Sequence, residues 1–205
     1  MKLFFGINMN AQLYHKILNI LIITMPARLY TYILQGDNGG APCAEEGLFS
    51  LANCKPSIRR CARKGDIIVG ISGTKMKLGK KKRIIFIAVV TDIVSMREYA
   101  INYSLRMDSI YSPELELLPN PFHNCGHRET DLSGKNVLLS DDFVYFGKKH
   151  IAVPDNLNSI IPGRGHQYKP NEPHKETLTD LFNEAKIKNG CGKIGEYNNK
   201  KKRGC

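Results

Sequence analysis

The chain has 205 residues, of which 30 are Lys or Arg and 19 are Asp or Glu, for a net charge of +11 at pH 7. Its hydrophobic fraction of 42% is enough for an ordinary globular core, and a mean hydropathy of −0.29 suits a soluble protein. The six cysteines form no CxxC pair, which argues against a disulfide framework and for reduced thiols in a cytoplasmic protein. An isoelectric point near 9.4 favours a polyanionic partner, nucleic acid or an acidic surface. The positive charge is concentrated in residues 55–64, in Lys75 to Arg83 and from Lys186 onward.

Residues 1–26 hold an apolar run, Ile17 to Met25, that is too short to span a bilayer and is followed by no small-residue cleavage site. They are read as an extension outside the core. Arg28 to Gln35, rich in aromatic and β-branched residues, predicts a strand. Gly36-Asp-Asn-Gly-Gly-Ala-Pro42 then breaks it with a long turn. That loop offers backbone N–H groups and the Asp37 carboxylate to a ligand, or is a simple surface turn.

The stretch from Cys54 to Gly70 is the most organised part of the chain. Pro56 suits the first position of a helix, Gly65 suits its end, and Ile67 to Ile71 read as a strand. On a helical wheel Ile58, Cys61 and Ala62 share one side, while Lys55, Arg59, Arg60, Arg63 and Lys64 spread over the other. The helix is therefore expected to pack with one face and to offer cations with the other, either to an anion or to water.

Residues 72–83 predict a mobile Gly- and Lys-rich hairpin loop without the spacing of a phosphate-binding loop, and Ile84 to Val90 a strand buried on both faces. Met96 to Asn102 predicts a short helix. Residues 104–136 read as an irregular excursion holding Asp108, Tyr111, Phe122, His123, His127 and Asp131. His123-Asn-Cys-Gly-His127 matches no common zinc spacing, so no metal or other cofactor is expected. Val137 to Gly147 predicts a strand, a turn and a short aromatic strand, and Ile161 to His166 a glycine-flanked loop. Leu178, Leu181, Phe182 and Ala185 recur at helical spacing before Gly190, predicting a docking helix, and the final Tyr197-Asn-Asn-Lys-Lys-Lys-Arg-Gly-Cys205 a disordered basic tail.

Several segments together resemble one family, the nucleotide modification associated domain, type 2. They are Leu29-Tyr-Thr-Tyr32, Asp37-Asn-Gly-Gly-Ala-Pro42, Cys54-Lys-Pro-Ser-Ile-Arg-Arg60, Ala62-Arg-Lys-Gly-Asp-Ile-Ile-Val-Gly70, Leu138-Leu-Ser-Asp-Asp-Phe-Val-Tyr-Phe-Gly147 and Gly163-Arg-Gly-His166. The order helix, Lys-Gly-Asp, strand, hairpin, long strand is also similar to PUA-like barrels, the ASCH and EVE domains among them. The resemblance implies an α+β fold, a PUA-like, partly open β-barrel of mixed sheet with short peripheral helices, over residues 27–170. Residues 171–205 would be a C-terminal helix and basic tail. It implies a nucleic-acid-binding module that recognises or helps to process a modified or flipped base. Its partners would be DNA, RNA or a modified nucleotide, together with nucleotide-modifying enzymes, and no membrane.

On this reading phosphates lie against Lys55, Arg59, Arg60, Arg63, Lys80, Lys81, Lys82 and Arg164. A base stacks on Tyr32, Tyr145 or Phe146 and hydrogen-bonds to Asp37, Asn38 or His166. The alternative is an enzyme acting on a nucleotide or base, a glycosylase, transferase or nuclease, with Asp37, His127, Asp131, Asp141 or His166 as general base. Nothing pairs these groups at a diagnostic spacing, and a binding role is the preferred expectation. A basic domain that docks an acidic protein is a third reading.

Overall fold

The structure is a computed structural model that describes residues 27–119, 128–163, 165–169, 173 and 175–199. In chain order the strands are β1 (Leu29–Leu34), β2 (Cys43–Glu45) and β3 (Leu48–Leu51), followed by helix α1 (Pro56–Cys61). Next come β4 (Ile67–Ser72), β5 (Arg83–Val89), β6 (Asp92–Ser95), helix α2 (Met96–Asn102) and helix α3 (Arg128–Leu132). The chain continues through β7 (Asn136–Ser140), β8 (Asp142–Tyr145), β9 (Ile151–Ala152) and β10 (His166–Lys169), and ends in helix α4 (Lys175–Asn189) and β11 (Gly192–Lys193). Among the described residues no helix is long and apolar enough to cross a membrane.

Seven strands form one unclosed mixed sheet in the order β10-β1-β4-β5-β8-β11, with β9 beside β5; β2-β3-β7-β6 form a second. β1 runs parallel to β4, and β11 parallel to β8. The fold is α+β, with open mixed sheet and short helices at the periphery, as the resemblance implied.

Side-chain alternation along the strands sorts the core into layers. Tyr30, Tyr32 and Leu34 of β1 face the second sheet and join Phe86, Phe143, Tyr145, Phe49 and Leu138 in one cluster. Leu29 and Ile33 face the other way, toward Leu178, Phe182 and Ala185 of α4. A third cluster, with Met96, Tyr99, Tyr111 and Val137, covers the outer face of the small sheet.

β5 breaks its own alternation. Gly70 lies opposite Phe86 and Ile71 opposite Ile84, which leaves Ile85 as the extra residue of a bulge. Ile85 and Phe86 therefore both enter the inner cluster.

Four expectations change. α1 stops at Cys61 with Ala62 extended, and Gly65, at φ +87°, serves the turn into β4 instead. Part of the 72–83 loop is a 3-10 turn, Thr74–Met76. Residues 137–147 do form two strands, but β7 belongs to the small sheet and β8 to the large one, so the turn at Asp141 passes the chain between layers. Tyr197, expected in a disordered tail, is ordered and 4% exposed within the inner cluster. Residues 1–26, 120–127 and 200–205 lie outside the described residues, and with them Phe122, His123, His127 and the Lys-Lys-Lys-Arg run.

Gly70 is where the inner face is tightest: a Cβ there would lie 2.1 Å from Cε1 of Phe86 and 2.6 Å from Cδ1 of Leu34. Gly70→Ala should therefore lower stability by roughly 1–3 kcal/mol. Gly36→Ala, where a Cβ meets nothing within 4 Å, should stay within about 0.5 kcal/mol of the parent. Urea unfolding of the two variants checks this, and equal midpoints would contradict the close approach.

Candidate functional site

One row of residues crosses the inner face of the large sheet. Strand register places His166 opposite Tyr32, Tyr32 opposite Gly70, Gly70 opposite Phe86, Phe86 opposite Tyr145 and Tyr145 beside Lys193. The missing side chain of Gly70 lets Phe86 lean over β4, 5.8 Å from Tyr32 and 6.4 Å from Tyr145 between ring centroids. Tyr32 and Tyr145 thus belong to one aromatic surface. Phe146, the next residue, points to the opposite cluster against α4.

The two tyrosines differ in their hydroxyls. Tyr145 donates to the Asp37 carboxylate, and burial, reinforced by Asp37, pushes its phenol well above the ordinary range. Tyr32 is 1% exposed, yet its hydroxyl finds no hydrogen-bond partner among the described residues. Burial raises its pKa too, with the Cys54 thiol and the Asp37 carboxylate adding to the effect. A buried, unpaired hydroxyl costs about 1–3 kcal/mol, so it has a polar group to gain from any ligand that reaches it.

Helix α1 lies alongside β1. At its start Lys55 adopts left-handed backbone (φ 44°), after Cys54 at φ 58°, which aims its ammonium at β1. The Nζ sits 4.9 Å from the centroid of the Tyr32 ring and 3.4 Å from the Ile33 carbonyl oxygen. Burial lowers its pKa from the ordinary lysine value, so an anion nearby would stabilise a charge that is costly here.

At the other end Arg28 donates to the Cys61 carbonyl (2.6 Å) and, through Nε and Nη2, to the Asp66 carboxylate. Asp66 also accepts from the Arg63 backbone N–H (2.8 Å). This clamp ties β1 to the end of the helix and to the Lys-Gly-Asp turn. The hydrogen bonds to Asp66 raise the Arg28 pKa.

Arg59 is not on the cationic face. It is 0% exposed; its Nε donates to the Cys54 carbonyl (2.8 Å), Nη1 to the Asn136 carbonyl (2.8 Å) and Nη2 to the Asp131 carbonyl. The guanidinium lies against Gly134, where a Cβ would come within 2.4 Å of it. Burial lowers its pKa, with Asp131 opposing. Its role in the structure is to tie α1 to α3 and β7, which corrects the wheel: arginine was assigned outward by its charge, yet three carbonyls inside satisfy it.

Of the remaining basic candidates, Arg60 and Arg63 are exposed, with Arg60 Nη1 donating to the Ser133 carbonyl (3.0 Å). Lys80 is exposed, Lys81 pairs with Asp155 (2.9 Å) and Lys82 Nζ donates to the Ser72 carbonyl (3.2 Å). The second group lies past the end of β4, since Gly73 N–H bonds the Leu34 carbonyl at 2.7 Å. The two groups therefore sit toward opposite ends of β1, a strand of six residues or about 20 Å. Arg164 lies outside the described residues.

The acidic and polar candidates are distributed differently from expectation. Asp37 is 1% exposed and, besides Tyr145, accepts from the Asn198 backbone N–H (3.0 Å) and side-chain amide (2.8 Å). It fastens the end of the chain across the aromatic row. Asn38 Oδ1 accepts from Gly40 N–H (3.1 Å), closing the glycine-rich loop on itself. His166 opens β10, not a loop, and is exposed beside Tyr32.

Asp131 accepts from Cys54 N–H (2.7 Å) and Tyr111 (3.2 Å). Asp108 accepts from Ser50 and Tyr99, each at 2.7 Å, beside Arg106 at 3.8 Å; burial raises its pKa. Asp108 holds the 104–136 excursion to β3 of the small sheet, and Asp131 holds it to the start of α1. Among the described residues no group of three His, Cys, Asp or Glu side chains is placed to hold a metal ion.

A family model decides what this arrangement belongs to: nucleotide modification associated domain 2 matches residues 26–115 and 110–199. The chain is a member of that family. The match reaches 199, past His166 and into the segment that Asp37 fastens. No curated protein and no solved structure matches the chain.

Sequence reasoning missed Arg28, Phe86 and Lys193. The signal for Phe86 was present in Gly70, because a glycine inside a strand marks a close approach; Arg28 and Asp66 are 38 residues apart and carry no local signal.

The neighbours Arg59 and Arg60 should behave oppositely. Arg59→Ala removes a charged donor from three carbonyls, of which that of Asp131 keeps the Gly134 N–H, and should cost about 3 kcal/mol. Arg60→Ala should cost within about 0.5 kcal/mol. Thermal or urea unfolding distinguishes them, and equal losses would overturn the inward assignment of Arg59.

Proposed function

We propose that this domain binds nucleic acid and accepts a base, modified or flipped, at the β1–β10 edge beside α1. The observation that carries the reading is the pairing of an unpartnered Tyr32 hydroxyl with the Lys55 ammonium over the same ring, next to exposed His166. A cation, a buried hydroxyl and an exposed imidazole side by side offer a nucleotide a counter-charge and hydrogen-bond partners.

Arg60, Arg63, Lys80, Lys81 and Lys82 supply the phosphate contacts, divided between the two ends of β1 instead of gathered in one patch. Arg59 is left out because its donors are used inside. The PUA-like comparison belongs to this reading, as does the family's description, which points to nucleotide modification without naming a base. Asp37 and Asp131 are committed to hydrogen bonds that hold the chain together, which favours recognition over catalysis by these carboxylates.

The test is binding of fluorescently labelled oligonucleotides across a salt series. Each phosphate contact accounts for about a threefold loss of affinity over a fourfold rise in salt. The pair Arg60→Glu and Lys80→Glu should each flatten that dependence and weaken binding at least threefold at low salt. Absence of binding at low salt, or a salt dependence that neither reversal changes, would overturn the proposal.

A further inference from the structure

The edge strand carries a second aromatic group that the base-binding set does not include. Tyr168 stands opposite Tyr30 in the β1–β10 pairing. Their rings stack, with centroids 5.1 Å apart and planes inclined by 29°. Tyr30 is 3% exposed, while Tyr168 keeps 46% of its surface in solvent. The Arg28 guanidinium lies 5.6 Å from one centroid and 5.8 Å from the other.

Arg28 is itself immobilised by Asp66 and by the Cys61 carbonyl, so the two rings rest against a fixed plane. Two residues earlier on the same face of β10 is His166, opposite Tyr32.

A tyrosine serving only to cover Tyr30 would gain by burying itself further. This ring is held firmly from behind and presented at an edge near exposed Arg60, on the adjoining helix, and Arg63, in the turn that follows it. We infer that Tyr168, backed by Tyr30 and Arg28, is a stacking platform for an unpaired base of a single-stranded nucleic acid. The inference rests on the nucleic-acid reading above and adds the substrate class. A base in a duplex has both faces covered by its neighbours, whereas an unpaired base has a free face to lay on the ring. Stacking uses the face common to every base, so it contributes affinity without sequence preference, leaving discrimination to the Tyr32 end of the edge.

The chain contains no Trp, so Tyr168→Trp creates a single fluorescent reporter at the platform. Titration of the full chain with oligothymidylate at low salt should quench that fluorescence in step with binding followed by anisotropy of a labelled strand. An abasic oligonucleotide of equal length should bind through its phosphates with no quenching, and a duplex should bind more weakly and leave the signal unchanged. Tyr168→Ala should weaken oligothymidylate binding about tenfold, while Tyr168→Phe keeps it; unfolding curves confirm that both variants fold. Binding without quenching, or equal affinity for duplex and single strand, would overturn the platform and leave nucleic-acid binding standing. Failure of every oligonucleotide to bind would overturn both.

Discussion

The Phe86 ring leaning over Gly70 is the contact on which the inner face of the large sheet depends. With a side chain on Gly70, Phe86 could not reach between Tyr32 and Tyr145, and the surface would divide at β4. The bulge at Ile85 serves the same end, because it brings two consecutive β5 residues into the inner layer. Aromatic pairs in offset or tilted geometry contribute about 0.5–1.5 kcal/mol each beyond their buried area, so an unbroken row both stiffens the sheet and fixes Tyr32 beside the edge strand β10.

Around that row the chain uses buried polar groups to hold elements that are distant in sequence. Arg59 joins the first helix to α3 and β7, Asp37 joins the glycine-rich loop to the last residues described, and the Arg28–Asp66 clamp joins β1 to the turn before β4. Each is satisfied by several partners, which is the condition for a polar group to be kept inside. The contrast is the Tyr32 hydroxyl, buried without a partner. Thr31 Oγ1, Asn53 Oδ1, Arg83 Nε and His150 Nδ1 are likewise buried without a partner among the described residues; what sets Tyr32 apart is the Lys55 ammonium over its ring and exposed His166 opposite it.

Much of this was legible locally. The apolar run at Ile84, Pro56 as a helix start, and the spacing of Leu178, Phe182 and Ala185 all reported elements that formed with small shifts in their ends. What depends on partners far along the chain was not legible. Arg59 and Arg60 are adjacent and chemically identical, and only the carbonyls of residues 54, 131 and 136 decide that one turns inward. Likewise β7 and β8 read as consecutive strands, but nothing between Val137 and Gly147 says that they join different sheets. The Tyr197-Asn-Asn segment looked like the start of a polar tail because its acceptor, Asp37, lies 161 residues before Asn198.

On the proposed reading nucleic acid lies along the edge formed by β1, β10 and α1, and the α4 face of the sheet stays free of it. Backbone amide shifts followed by NMR during titration with a short single-stranded oligonucleotide test that placement most directly. The account predicts changes at residues 29–34, 55–63, 80–82 and 166–168, with α4 unperturbed. Changes centred on α4, or none at the β1–β10 edge at saturation, would contradict it.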